Sequence, residues 1–300
     1  MAAGSTPAAE VAVDEPLVRA LLRSQCPDLA NRPLVEAANG WDNVTFRLGD
    51  DLLVRLPRRA MSAPLVEVEQ CWLPVLAPRL PLPVPAPVRC GRPAPELGYP
   101  WAWTVGPWLP GASALATPPT DDPVNALVGF LGALHQPAPA DAPASRFRGT
   151  PLVVRDGPHR DRVVLLGDRL DTAAVLAVWG EALAAPVHAG PPVWVHGDLH
   201  PGNLLVHDGA LSAVIDWGDL TAGDPAYDVG IAWMLLDPDQ RATFREALAV
   251  DEATWIRAWG WASSFAVVLL ASSADNPPYE ALGERTLAAV LSDGGRRPRS

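Results

Sequence analysis

Asp198, Asn203 and Asp216 are the residues of this 300-residue chain whose types and spacing suit chemistry best. Asn203 follows Asp198 by five positions, and Asp216 closes the apolar run 213–215. Phosphoryl transfer needs a carboxylate to orient an acceptor hydroxyl and oxygen ligands to hold Mg²⁺ against nucleotide phosphates. One Asp, one Asn and a second Asp meet that need. Asp208-Gly209 reads as a hairpin turn joining 204–206 to 211–215, which would return Asp216 towards Asp198 and Asn203. A different metal chemistry is also conceivable. His196, Asp198 and His200 alternate and on a strand could share a face for zinc, but no further His/Cys cluster stands nearby to complete that site.

The ordered set His196-Gly197-Asp198 through Asn203, Ile215-Asp216-Trp217-Gly218, and Gly223-Asp224-Pro225 with Tyr227-Asp228 resembles the aminoglycoside phosphotransferase family of small-molecule kinases. The resemblance covers Leu34 to about Ser292 and is most specific in this segment. It implies an α+β, two-lobed, protein-kinase-like fold with a small β-rich N-terminal lobe and a larger, mainly helical C-terminal lobe. It also implies that Asp198 is the catalytic base, that Asn203 and Asp216 hold Mg²⁺, and that His196 and Asp224 brace the loop. The donor it implies is ATP or GTP, and the acceptor it implies is a hydroxyl on a small molecule.

Composition narrows the partners. A formal charge of −11 and a pI near 4.9 argue against nucleic acid and are compatible with a cationic small molecule. The N-terminus lacks a basic segment followed by a long apolar core, and the run 258–271 is interrupted by Ser263 and Ser264. A cytoplasmic protein without a membrane partner is expected. Cys26, Cys71 and Cys90 are widely spaced and odd in number, as free thiols in a reducing compartment would be. The chain contains no lysine, so a phosphate-binding lysine is excluded.

The elements that must position these residues are read from periodicity and turn signals. Residues 1–13 and 294–300 are expected to be disordered, 1–105 to form the nucleotide-binding lobe, 106–111 the hinge and 112–293 the helical lobe. A helix at 17–23 precedes strands 41–48 and 51–56. Gly40 and Asn43, with Asp42, stand where a nucleotide-covering loop belongs, although repeated glycines are missing. Arg55 occupies the phosphate-binding strand position, with Arg47, Arg58 and Arg59 as rivals; its planar fork suits phosphate oxygens. On a helix over 64–76, Glu69 is expected to pair with Arg55, and Glu67 is the neighbouring alternative. A short strand at 87–90 interrupts a proline-rich connector. Trp101 and Trp103 alternate as on a buried strand, and Gly106 and Trp108 fall where hinge backbone would meet the purine. Helices are expected over 123–135, 170–184, 224–236, 239–248, 252–270 and 278–291, with Trp255, Trp259 and Trp261 packing a core.

Three functional readings remain open on these residues. The acceptor is an aminoglycoside, a macrolide or another antibiotic; or the protein is a metabolic kinase for a sugar or amino alcohol; or it is a nucleotide-binding pseudokinase, as the missing lysine suggests. Neither acceptor identity nor oligomeric state is written in the sequence.

Overall fold

The computed structural model describes residues 8–40 and 42–294; residues 1–7, Trp41 and the tail 295–300 lie outside the described residues. The chain separates into two compact units, 8–110 with Ala213–Gly218, and Gly111–Ser212 with 219–294. The fold is α+β.

In the first unit, α1 (Glu15–Gln25) starts where the Asp14 carboxylate accepts the Leu17 N–H at 2.9 Å, with Pro16 in its first turn. A five-stranded antiparallel sheet follows, built from β1 (Leu34–Asn39), β2 (Asn43–Leu48), β3 (Leu52–Pro57), β4 (Arg89–Gly91) and β5 (Trp103–Pro107). Its strand order is β1-β2-β3-β5-β4. Period-two alternation assigns the faces. Val44, Phe46 and Leu48 of β2, with Leu52, Val54 and Leu56 of β3, share one core with Val18, Leu21 and Leu22 of α1. Arg55 therefore points to the opposite face. There it pairs in register with Thr104 of β5, and α2 (Ala63–Leu76) docks by donating from Gln70 to the Trp103 carbonyl at 2.8 Å. Gly91 admits the Trp103 ring, because a Cβ there would fall 2.0 Å from it.

The second unit opens with β6 (Ala112–Ser113), α3 (Val124–Leu134), α4 (Asp156–Leu166) and α5 (Thr172–Ala184). The strands β7 (Val193–Val195), β8 (Leu204–His207), β9 (Ala210–Val214) and β10 (Thr221–Gly223) follow. β7 pairs with β10, and β6, β8 and β9 make a three-stranded sheet. Asp208 and Gly209 join β8 to β9 with φ of 49° and 85°, the left-handed pair that a two-residue hairpin turn requires. The helices α6 (Ala226–Val229), α7 (Ile231–Leu235), α8 (Pro238–Leu248), α9 (Glu252–Ser272) and α10 (Pro277–Gly294) complete the unit. α9 is central. It packs against α4, α5, α6 and α10, and buries Trp255, Trp259 and Trp261.

Several elements depart from the sequence-based expectations. The helix expected over 224–236 is two short helices, α6 and α7, broken at Gly230. Gly230 lies so close to α9 that a Cβ would sit 3.4 Å from the Ala258 carbonyl oxygen, which explains a small residue at the break. β5 begins at Trp103, leaving Trp101 outside the strand in an edge contact with the Tyr99 ring. Residues 8–13 are tied to the sheet where disorder is expected. Glu10 donates to the Arg58 carbonyl at 2.9 Å, and Val11 and Val13 pack on the α1 core. β1 and α4 are additional elements. Among the described residues, no helix is long and apolar enough to cross a membrane. All three cysteines are free thiols.

Candidate active site

β7 delivers the loop that carries Asp198. Two backbone amides of that loop, His196 N–H and Gly197 N–H, donate to the two oxygens of Asp228 at 2.7 and 3.1 Å. Asp228 is fully buried and also meets His135 Nε2 at 3.3 Å. Gly197 has φ +84°, and a Cβ there would lie 2.2 Å from the Asp219 carbonyl oxygen. Only glycine fits this turn. The buried His196 ring accepts the Asp198 N–H on Nδ1 at 3.2 Å.

Asp198 lies within a ring of donors. Asn203 Nδ2 donates to the Asp198 carbonyl at 2.9 Å and to Oδ2 at 3.3 Å. His200 Nδ1 accepts the Gly202 N–H at 3.0 Å, which leaves Nε2 as the donor nitrogen of the ring, 3.5 Å from Asp198 Oδ2. Arg148 Nη1 stands 3.4 Å from Oδ1. Burial alone would raise the Asp198 pKa. The hydrogen bond from His200 and the charge of Arg148 override it and hold the carboxyl well below the usual carboxylate range. Asp198 is thus an ionised acceptor at neutral pH.

Asp198 opens onto a cavity of about 530 Å³ whose wall includes Arg148, Asp219, Tyr227 and Trp261. Arg148 donates to the Tyr227 hydroxyl at 2.7 Å and to Asp219 Oδ2 at 3.0 Å. Burial would lower its pKa, but Tyr227, Asp198 and Asp219 outweigh that and keep it charged.

The first unit holds the second cluster. Arg55 Nη1 lies 2.5 Å from Glu69 Oε1, and Nη2 lies 2.6 Å from Asp216 Oδ1. Glu69, at 4 % exposure, also accepts the Trp217 N–H at 3.0 Å. Asn43 joins them when its amide oxygen faces the guanidinium, accepting from Arg55 Nε at 3.1 Å and Nη2 at 2.9 Å. Asp216 is half-exposed and has φ +62°, a left-handed conformation that a non-glycine residue adopts at a cost of about 1–3 kcal/mol. Both candidate metal ligands offer oxygen donors, an amide and a carboxylate, which suits a hard ion such as Mg²⁺. Among the described residues, no group of three His, Cys, Asp or Glu side chains comes together to hold a metal.

The remaining candidates have other contacts. Gly40 N–H donates to the Asn43 carbonyl at 2.9 Å and closes the turn before β2. Its φ lies outside the left-handed range, and a Cβ would meet only the Asn43 oxygen at 3.6 Å, so this turn does not demand glycine. Asp42 accepts from Ser62 Oγ at 2.5 Å and Arg59 at 2.7 Å. Gly106 sits in β5 opposite Leu53. The Trp108 N–H donates to the Asp51 carbonyl at 2.8 Å and its ring lies under the Arg47 guanidinium, so that amide is already taken where a purine contact is expected. Asp224 is paired with Arg257 at 2.6 and 3.1 Å and anchors the β10–α6 turn to α9; the direct brace of the Asp198 loop is Asp228.

Sequence reasoning therefore missed Asp228, Arg148 and Asp219, and weighed His200 only as a zinc ligand. The Tyr227-Asp228 pair carried a signal for the first, since it belongs to the ordered set that supports the resemblance. Nothing in 146–149 announces Arg148.

The chain matches the sequence model of the phosphotransferase enzyme family, APH, over residues 34–264. No curated protein matches it. Among solved structures it is similar to a variant of aminoglycoside 2'-phosphotransferase-IIIa in its GDP complex, at 18 % identity and TM-score 0.69 over 94 % of this chain and 99 % of that one. It is also similar to the macrolide 2'-phosphotransferase apoenzyme of Brachybacterium faecium, at 22 % identity and TM-score 0.58 over 96 % and 100 %. The type I macrolide 2'-phosphotransferase gives 20 % identity and TM-score 0.61 over 96 % and 98 %. At these identities the likeness is one of fold.

Proposed function

The chain belongs to the phosphotransferase enzyme family, and from that premise we propose that it moves the γ-phosphoryl group of ATP or GTP, bound with Mg²⁺, to a hydroxyl of a small molecule. The observation that carries the reading is Asp198: an ionised carboxylate, fixed by Asn203 and His200, on the wall of a cavity large enough for a drug-sized molecule.

The acceptor hydroxyl hydrogen-bonds to Asp198, which aims its oxygen lone pair at the γ-phosphorus and takes up the proton as the bond forms. The new bond joins the acceptor oxygen to phosphorus. The bond between phosphorus and the β,γ-bridging oxygen breaks, and nucleoside diphosphate leaves. Arg55, set by Glu69 and Asn43, is the candidate for the nucleotide phosphates. Asn203 and Asp216 are the candidate residues that would hold Mg²⁺, which would supply neutralisation of the phosphate charge. A general base of this kind contributes about 10²–10⁴ in rate. His196 and Asp224 act as supports and Gly40 as part of the loop over the nucleotide, while Gly106 remains the hinge candidate.

Nucleoside diphosphate release is the test, with ATP and GTP in parallel and a panel of aminoglycosides, macrolides, sugars and amino alcohols. Acceptor-dependent release that disappears in Asp198→Asn supports the reading. Nucleotide binding without turnover on any acceptor would favour a binding module instead.

A further inference from the structure

The chain's net charge of −11 does not extend into the acceptor cavity. The charged side chains on its wall are two aspartates, Asp198 and Asp219, and two arginines, Arg148 and Arg155. Both aspartates already face Arg148, at 3.4 and 3.0 Å. A polycationic acceptor would have to compete with a fixed guanidinium for each of them. Arg155 is the surplus charge. Among the described residues, no carboxylate lies within ion-pair reach of it, and its contact is with the face of the Phe147 ring, 5.6 Å from centroid to guanidinium carbon. Burial is the main cause that lowers its pKa, and the neighbouring Arg162 and Arg148 add to it while Tyr227 opposes.

Beside these charges the wall carries an apolar stripe, for a reason visible in α9. Trp261, Phe265 and Val268 recur at helical spacing and, with Leu269 and Met234, line the cavity. Phe265 and Val268 are only partly buried, so they present hydrocarbon surface to an occupant. An aminoglycoside, carrying several ammonium groups on a sugar frame, would find both wall aspartates already facing Arg148 and an apolar stripe beside them.

We propose that the acceptor is a hydroxylated molecule with an apolar body and a carboxylate, the body lying against the α9 face and the carboxylate received by Arg155. This rests on the phosphotransferase reading of the same cavity. Arg155 is then a specificity-determining residue, separate from the proton-handling group Asp198.

Calorimetric titration with a matched series tests it: ω-hydroxydodecanoate, its methyl ester, ω-aminododecanol and kanamycin, on the wild type, Arg155→Gln and Arg155→Lys. The expected result is about tenfold tighter binding of the acid than of the ester or either amine, a gap lost in Arg155→Gln and largely kept in Arg155→Lys. Equal or tighter binding of the amines, an equal loss of acid and ester affinity in Arg155→Gln, or no binding of any of the series would overturn the proposal. Turnover with Mg²⁺ and nucleotide is followed on the same samples to separate the two readings. An Arg155-dependent preference for the acid without phosphoryl transfer sinks the phosphotransfer reading alone, whereas transfer to kanamycin in preference to the acid sinks the acceptor class alone.

Discussion

Arg55 bonds Asp216 directly, Nη2 to Oδ1 at 2.6 Å, so the residue expected to hold phosphate and the residue expected to hold metal are partners of one another. Phosphate oxygens and a divalent ion would compete for the two ends of this pair. The guanidinium can serve both because its fork keeps Glu69 on one nitrogen while the other turns to a new acceptor.

Arg55→Lys is expected to keep the charge and lose the fork, lowering kcat/KM for nucleotide about 10–100-fold, as a bidentate site demands. Arg55→Ala goes further, since it strands the buried Glu69 carboxylate. Breaking such a pair costs about 3–5 kcal/mol, so the variant should also melt earlier. Steady-state kinetics with varied nucleotide, alongside a thermal melt, checks both; wild-type kinetics in Arg55→Lys would mean that another arginine holds the phosphates.

The pH profile follows from Asp198, whose folded pKa is depressed. Its ionised form adds stability above the unfolded carboxylate value of ~3.9, and that contribution is lost as pH falls through the lower folded value. The acid limb of kcat/KM that belongs to Asp198 should therefore lie below ~3.9 in the wild type. His200→Gln removes the strongest opposing influence and should move that limb to higher pH. A limb that stays in place would dissociate His200 from the base.

Asp228→Asn replaces a carboxylate that accepts two backbone amides with a group that can accept on one side only. Hydrogen bonds to a charged group are worth about 1.5–3 kcal/mol each, so a kcat loss of about 10–100-fold is expected, with the nucleotide KM changed much less. A kcat equal to wild type would show that the loop keeps its shape without this brace.

Gly197→Ala must force a Cβ to within 2.2 Å of the Asp219 carbonyl at φ +84°. A left-handed alanine costs about 1–2 kcal/mol before the clash is counted. Both the melting temperature and kcat should drop, and a melt paired with a single-turnover assay reads both. An unchanged melt would mean that the loop relaxes freely.

Much of this architecture was legible in the residues themselves. Asp208-Gly209 announced its hairpin because both left-handed positions leave a composition signal, and α2 placed Glu69 opposite Arg55 because helix and strand periodicities are strict. The ordered Asp, Asn and Asp pointed to phosphoryl transfer. Other parts carried no local pattern. β1 buries only Leu34 and so shows no alternation. Gly157-Pro158 disguises the start of α4 as a turn. Arg148 reaches Asp198 from a segment without periodic structure, and Trp108 gives its amide to Asp51, a pairing that only the folded sheet creates.

Glu69 gathers two chain segments that are distant in sequence. One of its oxygens receives both the Arg55 side chain and the Trp217 backbone, immediately after Asp216. A single carboxylate on α2 thereby sets the aim of the phosphate cation and the turn that presents the metal ligand. The backbone beside it is equally tight, for a Cβ on Gly218 would come within 3.0 Å of Leu65 on the same helix. Any compound that shifted α2 along its axis would misalign both groups in one movement. An inhibitor of this kind could leave the nucleotide and acceptor pockets untouched and still disarm the protein from behind.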